Sequence, residues 1–546
     1  MRKLVAAIDV GTGSARAGLF DAAGSLHGAA RQPIRIWREP GGIAEQSSDD
    51  IWAACCAALR EAMHEAGARP EDVAGLSFDA TCSLVVLDRE GRPLAVGPSA
   101  DPQRNVILWM DHRAVAEAKE IDATRAEVLR YVGGTISPEM EMPKLLWLKR
   151  HLPRQFHVAA DFFDLTDFLT WRSTGNRARS LCTVTCKWTY LAHESRWDDR
   201  FLAAIGLSEL ANDDHGRIGS TMAAPGAAIG DGLSVAAAAE LGLLPATPVA
   251  AGLIDAHAGG VGTIGGVSLS GERNDPLRRI AYIMGTSACI MATTREPVFV
   301  PGVWGPYFSA MMPARWLNEG GQSASGSAVD HVARTHPAFA AASAAADSAG
   351  LSLLDYLERR VEARVGDLSK AALLAAGRHI LPEYLGNRSP HADPQARAVM
   401  VGLAFDDSVE DLETSYIATL CGLAYGLAEA IDAIKAAGII ADAIVASGGA
   451  SHSRLVRQIM ADATGLPVVL PETTEPVLLG TAMLAAVVAG AYPSLPEAMT
   501  AMARDREISG ATSAGMRDFH AAKRRIHDAM RQVERQARGT MTSQAT

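Results

Sequence analysis

Four features are missing from this 546-residue chain, and each absence closes off a class of protein. No Cys-x-x-Cys pair occurs: the seven cysteines, at 55, 56, 82, 182, 186, 289 and 421, are odd in number and scattered. That pattern argues against a disulfide framework, and Cys182-Thr-Val-Thr-Cys186 has no further Cys or His at metal-ligand spacing, so reduced thiols in the cytoplasm are expected. Positive charge is not in excess; 51 Lys and Arg against 62 Asp and Glu leave a net charge of -11, which excludes nucleic acid as a general partner. No apolar run reaches bilayer length. The longest, Val477 to Ala491, contains Gly480, Thr481 and Gly490 and reads as a buried helix, so no membrane partner is expected. Asp9 interrupts the apolar N-terminal stretch that imitates a secretory signal, so export is not expected. Finally, no Gly-x-x-x-x-Gly-Lys-Ser/Thr occurs, which excludes a P-loop enzyme.

What is present is a repeat. Leu4-Val-Ala-Ala-Ile-Asp-Val-Gly-Thr-Gly-Ser-Ala-Arg16 and Ile280-Ala-Tyr-Ile-Met-Gly-Thr-Ser-Ala-Cys-Ile290 are both apolar, β-branched runs ending in Gly-Thr and a small residue. Each reads as strand, tight turn, strand, with backbone N–H groups and hydroxyls able to wrap phosphate. The length and an apolar content of 48% favour two domains. The duplicated turn predicts two similar α/β domains closing on one nucleotide. We expect a first domain over residues 1–268, a polar, turn-rich boundary at 268–279, and a second domain over 280–502. An Ala-rich helical insertion is expected near 338–376, and a C-terminal tail over 503–546. In the first domain, Ser48-Asp-Asp50 offers an N-cap ahead of an apolar stripe ending at Gly67. In the second, a helix from about Ser408 to Ala437 follows from the three-to-four-residue rhythm of Leu412, Tyr416, Leu420, Leu423 and Leu427. The tail, with a basic stretch from Arg517 to Arg538, reads as a charged, solvated helix.

Four constellations could carry chemistry. In Gly11-Thr-Gly-Ser-Ala-Arg16 the third glycine of a dinucleotide fingerprint is replaced by Arg16 and the chain continues into a strand, so a phosphate hairpin remains. There Gly11 and Gly13 admit close backbone approach, Thr12 and Ser14 offer hydroxyls, Arg16 offers charge, and Asp9 is placed to hold Mg2+. Gly285-Thr286-Ser287 is the second copy. Ala443 to Ser453 delivers Gly448 and Gly449 to a helix start, where flat contact with a purine is feasible and an ordinary turn is equally so. In Val249-Ala-Ala-Gly-Leu-Ile-Asp255-Ala-His257, a carboxylate at the end of an apolar strand is costly without a task. Asp255 is positioned as a general base for phosphoryl transfer, with capping of the turn as the plain alternative. His257 reads as a structural histidine outside the catalytic set.

With these motifs in order, nearly the whole chain, to about Met502, resembles the FGGY family of carbohydrate kinases. The resemblance implies two actin-like (RNase H-like) domains with a central cleft, ATP and Mg2+ as cofactors, and a small-molecule sugar as the acceptor. It implies Asp255 as catalytic base and sugar contact, Asp9 and Asp255 as metal-associated acids, and Gly285, Thr286 and Gly449 as nucleotide contacts. Gly75-Leu-Ser-Phe-Asp-Ala-Thr81-Cys82-Ser-Leu is similar to the pentulose-kinase branch that contains D-ribulokinase. Trp109, Lys187 and Glu319 match that group's sugar contacts, with Thr81 and Cys82 alongside: an indole wall, a cationic donor and an accepting carboxylate suit a polyol. Asp111 and Arg113 are either further sugar contacts or a local ion pair. The implied activity is phosphorylation of the C5 hydroxyl of a ketopentose, D-ribulose first, with L-ribulose, D-xylulose or a pentitol as rivals and an actin-like ATPase switch as a rival of another class. Ser453 stands near where glycerol kinases place Asn against adenine, which leaves base selectivity open. So is a homodimer.

Overall fold

A computed structural model describes residues 3–512 and 514–545. Strands β1 (Leu4–Val10) and β2 (Ser14–Phe20) pair antiparallel across the glycine turn, and β3 (Leu26–Pro33) adds antiparallel to β2. Helix α1 (Ser48–Ala66) leads to β4 (Val73–Ala80), which lies parallel to β1. The cap of α1 falls on Ser47, whose side chain accepts the Asp50 N–H, and the helix ends at Gly67 in the left-handed region, φ 59°. Helix α2 (Leu181–Lys187) precedes β5 (Val249–Ile254), which pairs parallel with β4 and runs straight into α3 (Asp255–Ile264). The strand order is β3-β2-β1-β4-β5.

The second sheet is assembled from β6 (Arg279–Met284), β7 (Ala288–Thr294), β8 (Trp304–Phe308) and β9 (Trp316–Gln322), then from strands after a helical stretch. That stretch holds α4 (Phe339–Ser348), α5 (Leu353–Val365) and α6 (Val409–Ala436). There follow β10 (Ala443–Ser447), α7 (Arg454–Thr464), β11 (Val468–Pro471), α8 (Pro476–Val488) and β12 (Asp505–Ser509). The order is β8-β9-β7-β6-β10-β11-β12. Without its edge strands β8 and β12, this sheet repeats the first: three antiparallel strands, then two parallel ones.

The halves exchange helices. Helix α8, which follows β11 of the second sheet, lies on β1, β4 and β5 of the first; α3, which follows β5, packs against β6 of the second. The two cross at close range, because a Cβ on Gly262 would stand 2.0 Å from the Pro476 carbonyl and one on Gly480 would stand 1.9 Å from that of Ala258. Leu478, Leu479, Met483 and Leu484 on α8 are fully buried, each side chain contributing roughly 1.5–3 kcal/mol of hydrophobic stabilisation.

Among the described residues one helix, α6, is long and apolar enough to cross a membrane; 83% of its most apolar window is buried inside the protein. The C-terminal helix α9 (Ala514–Ala545) differs from the solvated helix expected of a charged tail. It docks on the second half, burying Met516, His520, Lys523, His527, Met530 and Arg531. The physical reason is that its buried polar groups find partners: Lys523 Nζ donates to the carbonyls of Ala375 at 2.6 Å and Arg378 at 2.8 Å, and Arg531 pairs with Glu429 and Glu383.

Candidate active site

Parallel strands deliver their C-terminal ends to one edge of a sheet, and in the first half those ends carry acids. Asp9 on β1 stands in register with Asp79 on β4, and Asp255 follows the last residue of β5. The same edge faces the second half across a cavity of about 260 Å³. Asp9, Gly11, Thr12, Arg16 and Asp255 line it from one side, and Gly285, Thr286 and Ser287 from the other. Its remaining wall includes Thr81, Cys82, Trp109, Lys187 and Glu319. Both Gly-Thr turns, the Asp255 carboxylate and the polyol-type side chains therefore share one space.

A second cavity, of about 840 Å³, opens from the same turn, since Gly285 and Thr286 line both. Gly449, Ser453, Tyr416 and Glu358 line this larger space. Ser453 also caps α7, accepting the Val456 N–H at 3.0 Å, and Tyr416 donates to Glu358 at 2.7 Å.

Three residues expected at the nucleotide are placed otherwise. Gly13 and Ser14 do not line either cavity; the Ser14 hydroxyl accepts from Arg31 Nε of β3 at 2.8 Å. Gly448 also lies outside both, and its role is steric: at φ 89° a Cβ would stand 2.3 Å from the Met284 carbonyl. Arg16 reaches the cavity with its charge already engaged, pairing with Asp9 and, at 3.2 Å, with Glu475 at the start of α8. Asp111 and Arg113 form the local ion pair, at 2.7 Å, with Glu45 as a further partner of Arg113.

The electrostatics follow from burial and neighbours. Burial, and then the negative charge of Asp9, pushes the Asp255 carboxyl up to about 6. Burial and Asp9 likewise hold Asp79 well above the usual carboxylate range, while Thr481 of α8 donates to it across the halves. Burial opposes the charge of Glu319, but Lys187, the hydrogen bond from His257 and Arg388 outweigh it and bring the carboxyl down to about 2. For Lys187 burial is again outweighed, by Cys82 and Glu319, so its ammonium titrates well above the usual lysine range. Trp109 Nε1 donates to Thr12 Oγ1 at 3.0 Å, which ties the indole to the first Gly-Thr turn. Among the described residues nothing hydrogen-bonds Oδ1 of Asp9, a buried oxygen that suits a cation ligand.

Sequence reasoning missed Glu139, Trp304 and Arg388, which also line the smaller cavity. Lys187 and Arg388 each lie 5.3 Å from the Trp304 ring centroid, so two cations share one aromatic ring. Arg388 sits in Gly386-Asn-Arg-Ser-Pro390, a run of turn residues whose lone cation was the available signal.

Two RNase H-like halves facing each other over a polar cleft define the actin-like two-domain class. Residues 4–262 match the N-terminal domain, and residues 280–489 the C-terminal domain, of the FGGY family of carbohydrate kinases, and the chain belongs to that family. An "FGGY carbohydrate kinase domain-containing protein" of Homo sapiens is 46% identical over 502 residues, 91% of this chain and 90% of the relative. A D-ribulokinase of Saccharomyces cerevisiae is 38% identical over 511 residues, 89% of this chain and 72% of that protein. Among solved structures, a xylulose kinase from Lactobacillus acidophilus shares the fold with a TM-score of 0.79 at 19% identity, covering 97% of this chain and 98% of that one.

Proposed function

We propose that this carbohydrate kinase is an ATP-dependent pentulokinase, acting on the C5 hydroxyl of D-ribulose to give D-ribulose 5-phosphate. The observation that carries the reading is the single cavity in which Asp255 faces both Gly-Thr turns and the set Trp109, Lys187 and Glu319. The likeness to the yeast D-ribulokinase supports the choice of sugar.

The residues have separable tasks. Asp255, titrating at about 6, is ionised at neutral pH yet basic enough to accept the proton of an attacking hydroxyl. Glu319 accepts from sugar hydroxyls, Lys187 and Arg388 donate to sugar oxygens, and Trp109 forms a wall fixed by its bond to Thr12. The Thr286 and Ser287 N–H groups of the second turn face the phosphates, the Gly285 N–H being taken up by the Ser287 carbonyl, and the nucleoside extends into the larger cavity toward Gly449 and Ser453. Asp9 and Asp255 would hold a Mg2+ ion, whose charge offsets that of the phosphates when it is bound. Enclosure of the hydroxyl between the halves keeps water from competing with the sugar.

The test is an ADP-release assay over D-ribulose, L-ribulose, D-xylulose and the pentitols. D-ribulose is expected to give the highest kcat/KM, with phosphate on C5 of the product. A higher value for another sugar would replace the substrate assignment, and turnover indifferent to every sugar would remove the pentulokinase reading.

A further inference from the structure

Behind the smaller cavity a buried chain leads from Glu319 through two side chains, His257 and Cys182, that the proposed chemistry does not use. Cys182 Sγ on α2 lies 3.1 Å from His257 Nδ1 on α3, and His257 Nε2 lies 3.1 Å from Glu319 Oε2 on β9. His257 is 1% exposed and lines neither cavity. Its place follows from helix geometry. Two residues advance an α-helix by about 200°, so with Asp255 facing the cavity, His257 points into the protein on the opposite side.

The direction of the hydrogen bonds is set by the partners. Glu319 is ionised and can only accept, so His257 Nε2 carries a proton and donates. The Cys182 sulfur already accepts the Ile254 N–H at 3.3 Å and holds the Nδ1 side of the ring. Imidazole held on both nitrogens cannot rotate, so it fixes Oε2 of Glu319. Among the described residues no hydrogen bond engages Oε1, which leaves that oxygen for a ligand in the cavity. The bond also joins the halves, because α3 continues from β5 of the first sheet while β9 belongs to the second.

We propose that His257 is a positioning residue for sugar binding: its Nε2–H holds the Glu319 carboxylate from behind, and Cys182 holds His257. The same short helix thereby sets two groups at once, the base Asp255 on one face and the orientation of the sugar-binding carboxylate on the other. This rests on the pentulokinase reading above.

The experiment uses two amide variants of the full chain that preserve polarity. In His257→Gln the side-chain amide reaches the place of Nε2 and can donate to Glu319; in His257→Asn it reaches only the place of Nδ1 and can meet Cys182. The ketopentose KM is expected to stay within about threefold of wild type in His257→Gln and to rise about 10- to 100-fold in His257→Asn, the KM for ATP changing far less. In a Glu319→Gln background, His257→Asn should add little further loss. Equal KM values for the two variants, or an Asn variant closer to wild type than the Gln variant, would overturn the positioning role. So would a full additional loss in the Glu319→Gln background. If wild type itself shows no ketopentose-dependent ADP release, the failure lies with the pentulokinase reading; a normal wild type with indistinguishable variants fails this inference alone.

Discussion

The two sheets share a strand order but not the residues at the ends of their central strands. In the first, Asp9 on β1 faces Asp79 on β4 in register; in the second, the corresponding pair is Ile283 on β6 and Ser447 on β10. Acids are gathered in the first half, where Glu141, Asp164, Asp167 and Asp255 are raised by burial as well. Buried acids thus crowd the strand ends beside the first turn, whereas the second half sends one carboxylate, Glu319, into the cavity, where Lys187 and Arg388 oppose its charge. In the proposed function the first half would carry the base and the metal ligands, and the second would offer glycines and hydroxyls to the nucleotide.

The largest effect should come from the acid side. Asp255→Asn is expected to lower kcat about 10²- to 10⁴-fold while sugar binding, measured by calorimetry, persists. Turnover within tenfold of wild type would erase the asymmetry. Next comes the seam between the halves: Gly480→Val places a side chain against the Ala258 carbonyl, where a Cβ alone has 1.9 Å, and should cost about 3 kcal/mol in denaturant melts. A neutral result would mean that α3 and α8 do not need to cross this closely. The third effect depends on pH. Burial raises the Glu141 carboxyl to about 7, although Lys144 opposes the shift. An acid raised in the folded state gives stability that is complete below its unfolded pKa, near 4.5, and lost as pH rises toward 7. Glu141→Gln should remove that loss, on the order of 3 kcal/mol, and flatten the dependence of Tm between pH 5 and pH 8. The smallest effect belongs to the second half's register partner: Ser447→Ala, whose buried hydroxyl has no partner among the described residues, should leave kcat within about twofold and stability within roughly 0.5 kcal/mol.

The two strand–turn–strand units and the strand ending at Asp255 could be read from the chain because their signals are local. A β-branched run before Gly-Thr announces its turn wherever it occurs, and an acid ending an apolar strand, as at Asp255, is conspicuous by its cost. The exchange of α3 and α8 was not legible, since nothing in Pro476 to Val488 specifies which sheet it covers. Glu139, Trp304 and Arg388 reach the cavity through long-range packing. The engagement of the Ser14 hydroxyl by Arg31 was not legible either, since the two residues stand on different strands. The tail misled because its buried stripe is built from His520, Lys523, His527 and Arg531 as much as from methionine, so that composition signals a solvated surface. His257 was set aside as structural for lack of any sign that Glu319, 62 residues on, would meet it.

The helix exchange also bears on how the polypeptide leaves the ribosome. The sheet built first, from residue 4 onward, waits for Pro476–Val488 to cover it, and the second half waits for a terminal helix anchored by Lys523. Neither half can complete its packing until residues 476–523 have been synthesised, so apolar surface of both stays uncovered through much of elongation.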